Sequence, residues 1–93
     1  MEVVQTRQFK QAVKKLTPKQ KKELDDAVKI VMSNPYIGDQ KKGDLNFLWV
    51  YKFHMNNQLT LLGYSYKDEI VTLNLLAVGS HENFYRDIKI AIH

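Results

Sequence analysis

Two groups of residues in this 93-residue chain have the types and spacing to move protons beside a polyanion. The first is Lys52 and His54, two apart in a run rich in aromatic and branched residues from Asn46 to His54. Such a run reads as a strand, and side chains two apart on a strand leave the same face. An imidazole exchanges protons near neutral pH, and an ammonium beside it can hold negative charge. The second group follows a glycine: Gly79-Ser80-His81-Glu82-Asn83-Phe84-Tyr85-Arg86-Asp87. His81 and Tyr85 are four apart and share a face if a helix starts there. Histidine can transfer protons, arginine can hold a phosphate, and an aromatic ring can stack on a base. Each group also has a plainer reading. His54 can be a half-exposed residue near a strand end, and the second segment can be a helix start in which Ser80 caps and Tyr85 packs. Spacing alone leaves both readings open.

Other chemistries find no residues to carry them. There is no cysteine, hence no thiol nucleophile, thiolate metal site or disulfide. The chain has no Walker phosphate loop and no GxGxxG segment, and no serine stands in a nucleophile elbow. Asp25 and Asp26 lie in a helical pattern and read as surface charges. Histidines without a nearby carboxylate pair make a weak metal site, so neither metal nor cofactor is expected.

The elements that must position these groups are legible in outline. Glu2 to Gln5 can form a short first strand. Thr6 is a helix N-cap, and Phe9, Ala12, Val13 and Leu16 follow at helical spacing. Thr17-Pro18-Lys19-Gln20 is a second start signal, with Gln20 completing a capping box. Leu24, Ala27, Val28, Val31 and Met32 continue that helix until Ser33-Asn34-Pro35 ends it. The short break makes the two helices an antiparallel hairpin. Asn34 to Asp44 reads as a loop. Asn46–His54, Leu59–Tyr66 and Ile70–Val78 read as strands, and His81–His93 as a short helix. If Asn56-Asn57 is a two-residue turn, Lys52 lies opposite Leu61 and His54 opposite Leu59. Gly63, further along that face, then leaves room for a ligand. The turn near Lys67–Glu69 is ambiguous in length, and the face covered by the helices stays open with it. The expected fold is α+β, in the order β-α-α-β-β-β-α: a small antiparallel sheet with an N-terminal helix hairpin on one face and a short C-terminal helix. Residues 1–93 read as one domain.

Composition adds a bias toward anionic partners. Net charge is +4, and hydrophobic residues make up 44% of the chain, which suits a globular protein. Arg7, Lys10, Lys14, Lys15, Lys19, Lys21 and Lys22 follow one another with no acidic residue between them. Such a block favours a polyanion, although a solvated helix face has the same composition. The N-terminal segment has no signal-like apolar stretch, and no run is long enough for a membrane span. The cytoplasm is the expected compartment, with no membrane partner.

Lys42-Gly43-Asp44, the strand ending in His54, and above all Gly79-Ser80-His81-Glu82-Asn83-Phe84-Tyr85 resemble toxins of the RelE/ParE superfamily. The likeness is greatest to the YafQ-like branch, which has a strand histidine before a short hairpin and a Gly-Thr/Ser-His segment followed four residues later by an aromatic. The resemblance implies a toxin neutralised by a cognate, acidic antitoxin. It further implies ribosome-dependent cleavage of mRNA without a metal, which inhibits translation. Carried over by position, His54 corresponds to the strand histidine, His81 to the C-terminal catalytic histidine and Tyr85 to its aromatic partner. The expected roles are His81 as general acid, His54 as general base, Lys52 and Arg86 as phosphate stabilisers and Tyr85 as the group that orients the scissile nucleotide. Lys10, Lys14, Lys15, Lys19, Lys21, Lys22, Lys41 and Lys42 are the expected RNA and ribosome contacts. The chain departs from the YafQ pattern where Lys52 and Gln58 replace acidic residues and where Lys41-Lys42 stand near a missing loop histidine. The result is a more basic site, as in RelE itself. The alternative implied by the same superfamily is a ParE-like inhibitor of DNA gyrase without nuclease chemistry.

Overall fold

The chain was analysed as a computed structural model, which describes residues 2–67 and 72–91. Strand β1 (Glu2–Gln5) leads into helices α1 (Arg7–Lys14) and α2 (Pro18–Ser33). Strand β2 (Asp39–Gln40) and a 3-10 turn (Gly43–Leu45) precede β3 (Trp49–Met55), β4 (Gln58–Lys67), β5 (Thr72–Gly79) and helix α3 (His81–Ala91). The sheet order is β1-β5-β4-β3-β2.

Local chemistry sets the element boundaries. The Thr6 hydroxyl accepts from the Phe9 N–H and donates to the Leu76 carbonyl. The Thr6 N–H donates to Leu75 at 3.0 Å, so one residue both caps α1 and fastens it to β5. At α2 the capping box is complete: the Thr17 hydroxyl accepts from the Gln20 N–H, and the Gln20 side chain accepts from the Thr17 N–H. Asn56 and Asn57 have φ of 54° and 63°, the mirror-image turn that matches strand twist. That turn fixes the pairs Lys52↔Leu61 and His54↔Leu59, as the sequence predicts. The Asn56 N–H also donates to the Glu23 carboxylate, which holds the turn against α2.

Two features depart from the expected plan. The loop after α2 contains the short β2 and the 3-10 turn, and β3 begins only at Trp49. The Asn46 and Leu48 N–H groups donate back to Gly43 and Leu45, so the chain is still turning at Asn46. In addition, β1 joins β5 in parallel, at the sheet edge opposite β2. Parallel pairing requires a long crossover, and the helix hairpin and the three preceding strands supply it.

The sheet carries helices on both faces. Phe9, Leu24, Ala27 and Val31 of the hairpin pack on Leu62, Tyr64, Leu75 and Val78. On the other face Phe84 and Ile88 of α3 pack with Leu48, Val50, Leu61 and Ala77. A bulge resets which β5 side chains face the hairpin. Gly63 pairs with Ala77 but Tyr64 with Leu75, so Leu76 is an extra residue and the side-chain alternation resets there. The turn between β4 and β5, whose length the sequence left open, lies outside the described residues. Gly63 offers no room for a ligand, contrary to the expectation. A Cβ there would meet the Phe84 ring at 2.6 Å, because the ring has taken the space. Tyr64 anchors the loop after α2: its hydroxyl donates to the Pro35 carbonyl at 2.6 Å and accepts from the Gly38 N–H at 3.1 Å. Burial raises the Tyr64 phenol above its ordinary value, the Gly38 hydrogen bond opposes the rise, and the charge of Asp39 adds to it.

Candidate active site

The register of β3, β4 and β5 builds the site. Val50 points toward α3, so Lys52 and His54 leave β3 on the α3 face. Both are exposed at the far end of that face. Lys52 pairs with Leu61, and Leu61 pairs with Gly79. Lys52 and Gly79 are therefore two strand spacings apart, about 10 Å between Cα atoms. His54 lies about 7 Å further along β3, beside Leu59, whose side chain is 53% exposed. After Gly79 the chain turns through Ser80 into α3, which runs back over the sheet and seats Phe84 on Gly63.

Helix geometry then decides which way each α3 side chain faces. Phe84 and Ile88 face the sheet. His81 and Tyr85 occupy one flank, with ring centroids 4.9 Å apart and planes tilted by 58°. Tyr85 also meets Phe84 edge-on at 5.0 Å and packs against the cluster that includes Leu45, so its ring is half-buried and held. Asn83, Asp87 and Ile90 lie on the opposite flank, toward α1. Since that flank borders β5, the His81–Tyr85 flank faces β4 and β3. Strand alternation thus puts Lys52 and His54 on the face that α3 covers, with the His81–Tyr85 flank turned toward the same strands, while His54 at the strand end also borders a shallow pocket with Glu23, Asp26 and Ile30 of α2.

Arg86 does not join them. Its side chain is 68% exposed, sits 3.8 Å from Asp87, and lines a cleft against α1 with Gln8, Gln11 and Lys15. One residue past Tyr85 is a turn of about 100° around the helix, which removes Arg86 from the flank it was expected to share. The six lysines of the basic block are all exposed along α1, α2 and their junction. Lys22 makes a 3.5 Å ion pair with Asp26, and Lys15 reaches the cleft beside Arg86. Lys42 is exposed and Lys41 half-buried, both just before the 3-10 turn that carries Leu45, which packs against the same cluster as Tyr85. Among the described residues no three His, Cys, Asp or Glu side chains group as metal ligands. No described helix is long and apolar enough to cross a membrane.

Two further surfaces were not read from the sequence at residue level. One is the α1–α3 cleft, about 280 Å³, with Asn83 among its polar lining. Its signal is a pair of stripes at i, i+3, i+7: Gln8, Gln11 and Lys15 on α1, and Asn83, Arg86 and Ile90 on α3. The other is an apolar groove of about 250 Å³ between the helix hairpin and β1, lined by Val3, Phe9, Val13, Val28 and Met32 with Lys21 and Asp25 at its rim.

Comparison with known proteins places this geometry in a family. A double mutant of the E. coli toxin RelE in the free state superposes with a TM-score of 0.75 at 19% identity, covering 99% of this chain and 97% of that one. The E. coli RelBE toxin–antitoxin complex gives 0.68 at 19% identity, covering 85% of this chain and 94% of that one. The Mycobacterium tuberculosis toxin–antitoxin complex RelBE2 gives 0.63 at 20% identity, covering 86% and 96%. These likenesses are of fold. No curated protein sequence matches significantly. The profile of the ParE-like toxin of type II bacterial toxin–antitoxin systems matches residues 3–89. With nearly the whole chain matched, the protein belongs to the ParE-like toxin family and is a toxin of a type II toxin–antitoxin system.

Proposed function

We propose that this toxin is a ribosome-dependent mRNA endoribonuclease. The observation that supports the reading is the row Lys52–Leu61–Gly79, which sets Lys52 two strands from the turn that leads into His81. His54 accepts the proton of a ribose 2′-hydroxyl, whose oxygen attacks the adjacent phosphorus. The bond from phosphorus to the 5′-oxygen breaks, and His81 donates a proton to that oxygen. The products are a 2′,3′-cyclic phosphate and a free 5′-hydroxyl. Lys52 holds the charge that develops on the phosphoryl oxygens, and Tyr85, fixed by Phe84, orients the nucleotide. The YafQ-like reading rests on the segment from Gly79 to Tyr85. The RelE fold and the basic character of the patch support cleavage equally well. Exposed lysines of α1 and α2 supply a surface for ribosomal RNA. The whole activity belongs to one domain in the cytoplasm.

The neutralising partner is an acidic antitoxin, as the RelE neighbours solved with their antitoxins suggest. The groove beside β1 is the surface left for it. Its apolar lining suits an amphipathic helix, and the outer edge of β1, where Val4 is 42% exposed, is free to take a strand.

Expression followed by pulse labelling tests the reading. Early loss of protein synthesis with cuts in translated mRNA is the expected result. The alternative implied by the superfamily resemblance is gyrase inhibition, and early loss of DNA synthesis with broken chromosomes would establish it instead.

A further inference from the structure

We infer that the cleft between α1 and α3 is a nucleotide-binding subsite that holds a base of the RNA next to the scissile phosphate; this rests on the nuclease reading of the neighbouring patch. The cleft lies where β1 stops. Gln5 pairs with Leu75, and past that point no strand among the described residues lies beside the outer edge of β5. Helices α1 and α3 flank this gap and leave about 280 Å³, near the lower limit of small-ligand sites, roughly 300 Å³.

The lining has the chemistry of a nucleotide site. Gln8, Gln11 and Asn83 present carboxamides, each with a donor and an acceptor, the combination that reads the edge of a base. Lys15 and Arg86 at the mouth provide cations for the flanking phosphates. Ala12, Leu16 and Val78 form an apolar floor suited to the flat face of a base. Among the described residues Asp87 is the one carboxylate of the lining, and it lies 3.8 Å from Arg86, which offsets its charge.

Position links the cleft to the chemistry. Gly79 lines the cleft and also ends the row that starts at Lys52. Met55, another lining residue, directly follows His54. A strand whose phosphate lies among Lys52, His54 and His81 therefore needs to cross only the Gly79–His81 corner to place its next nucleotide between α1 and α3. Arg86 then acts one nucleotide away from the reaction, as a positioning residue.

Two measurements test this. The first titrates the toxin with an RNA trinucleotide that carries a 2′-deoxyribose at the cleavable position, and follows side-chain amide resonances by NMR. Shifts of the Gln8, Gln11 and Asn83 amides are expected; shifts confined to the Lys52–His81 patch would overturn the proposal. The second maps cuts in ribosome-bound mRNA for the wild type and for Gln11→Ala and Asn83→Ala, after thermal melts have shown both variants folded. One base contact carries about tenfold discrimination, so preference at the flanking nucleotide should flatten by that order. An unchanged pattern of cuts in folded variants would overturn the subsite while leaving the nuclease reading intact. A wild-type protein that cuts nothing but still moves the cleft amides would sink the nuclease reading and sustain the RNA site. A wild-type protein that neither cuts mRNA nor moves the cleft amides would remove both readings.

Discussion

The Phe84 ring stands where a side chain at position 63 would have to be, with Cε1 and Cζ each 2.6 Å from the place of a Cβ. The contact joins α3 to the middle of β4 and seats the helix that bears His81 and Tyr85. Gly63→Ala should therefore cost about 1–3 kcal/mol of stability through overpacking. It should also lower cleavage by more than the unfolded fraction explains, because α3 is pushed off its seat. Urea unfolding alongside a cleavage assay separates the two effects.

His81 is exposed and makes its ring contact only with Tyr85 among the described residues, so its removal should leave the fold intact. His81→Ala is expected to cut cleavage by about 100-fold or more and to relieve growth arrest, with an unchanged melting curve. Full toxicity in a variant that still binds the antitoxin would reassign the general acid.

For Tyr64 the prediction concerns pH. Its phenol is raised above the ordinary 10.0, burial being the main cause. The contribution to stability is complete below the unfolded value. It is lost as pH climbs through the folded one, because the unfolded chain gives up the proton first. Stability should thus fall in the alkaline range above about pH 10. Tyr64→Phe should remove that part of the slope and cost about 1–3 kcal/mol at neutral pH, since the Gly38 N–H and the Pro35 carbonyl lose a partner.

Charge reversal of Lys10, Lys14 and Lys19 to glutamate should weaken ribosome co-sedimentation without lowering the melting temperature, since all three are exposed. High salt should mimic the loss in the wild type, and the slope of log affinity against log salt should be shallower by about two in the variant. Equal sedimentation of both proteins would make these lysines a solvated face and nothing more.

Val28→Glu puts a carboxylate into the groove beside β1, on a half-buried position of α2. A folded variant should lose capture by the acidic antitoxin while cleavage is retained. Retained capture would move the antitoxin to another surface.

The sequence spoke clearly wherever a signal is local. Thr6, Thr17 and Gln20 cap because each needs a partner only three residues away. Asn56 and Asn57 accept positive φ, and one tight turn then sets the register of seven pairs, including the two that define the patch. Relations settled by distant packing were not legible. Gly63 looked like open space because nothing at that position names Phe84, twenty-one residues later, as its occupant. Helix spacing separates Arg86 from Tyr85, but which flank of α3 meets β5, and so what each of them faces, is set by that packing. The bulge at Leu76 leaves no mark in composition, yet it decides that Val78 and Leu75 both face the hairpin. The pairing of β1 with β5 lies beyond any short-range pattern.

That last pairing has a consequence for synthesis. Thr6 bonds Leu76 across 70 residues of chain, and β5 contributes to the packing on both faces of the sheet. A nascent chain still holding β5 inside the exit tunnel has neither the β1 pairing nor the seat of α3. The patch of Lys52, His54, His81 and Tyr85 can assemble only after Gly79 and the helix behind it have emerged, so these side chains meet late in synthesis.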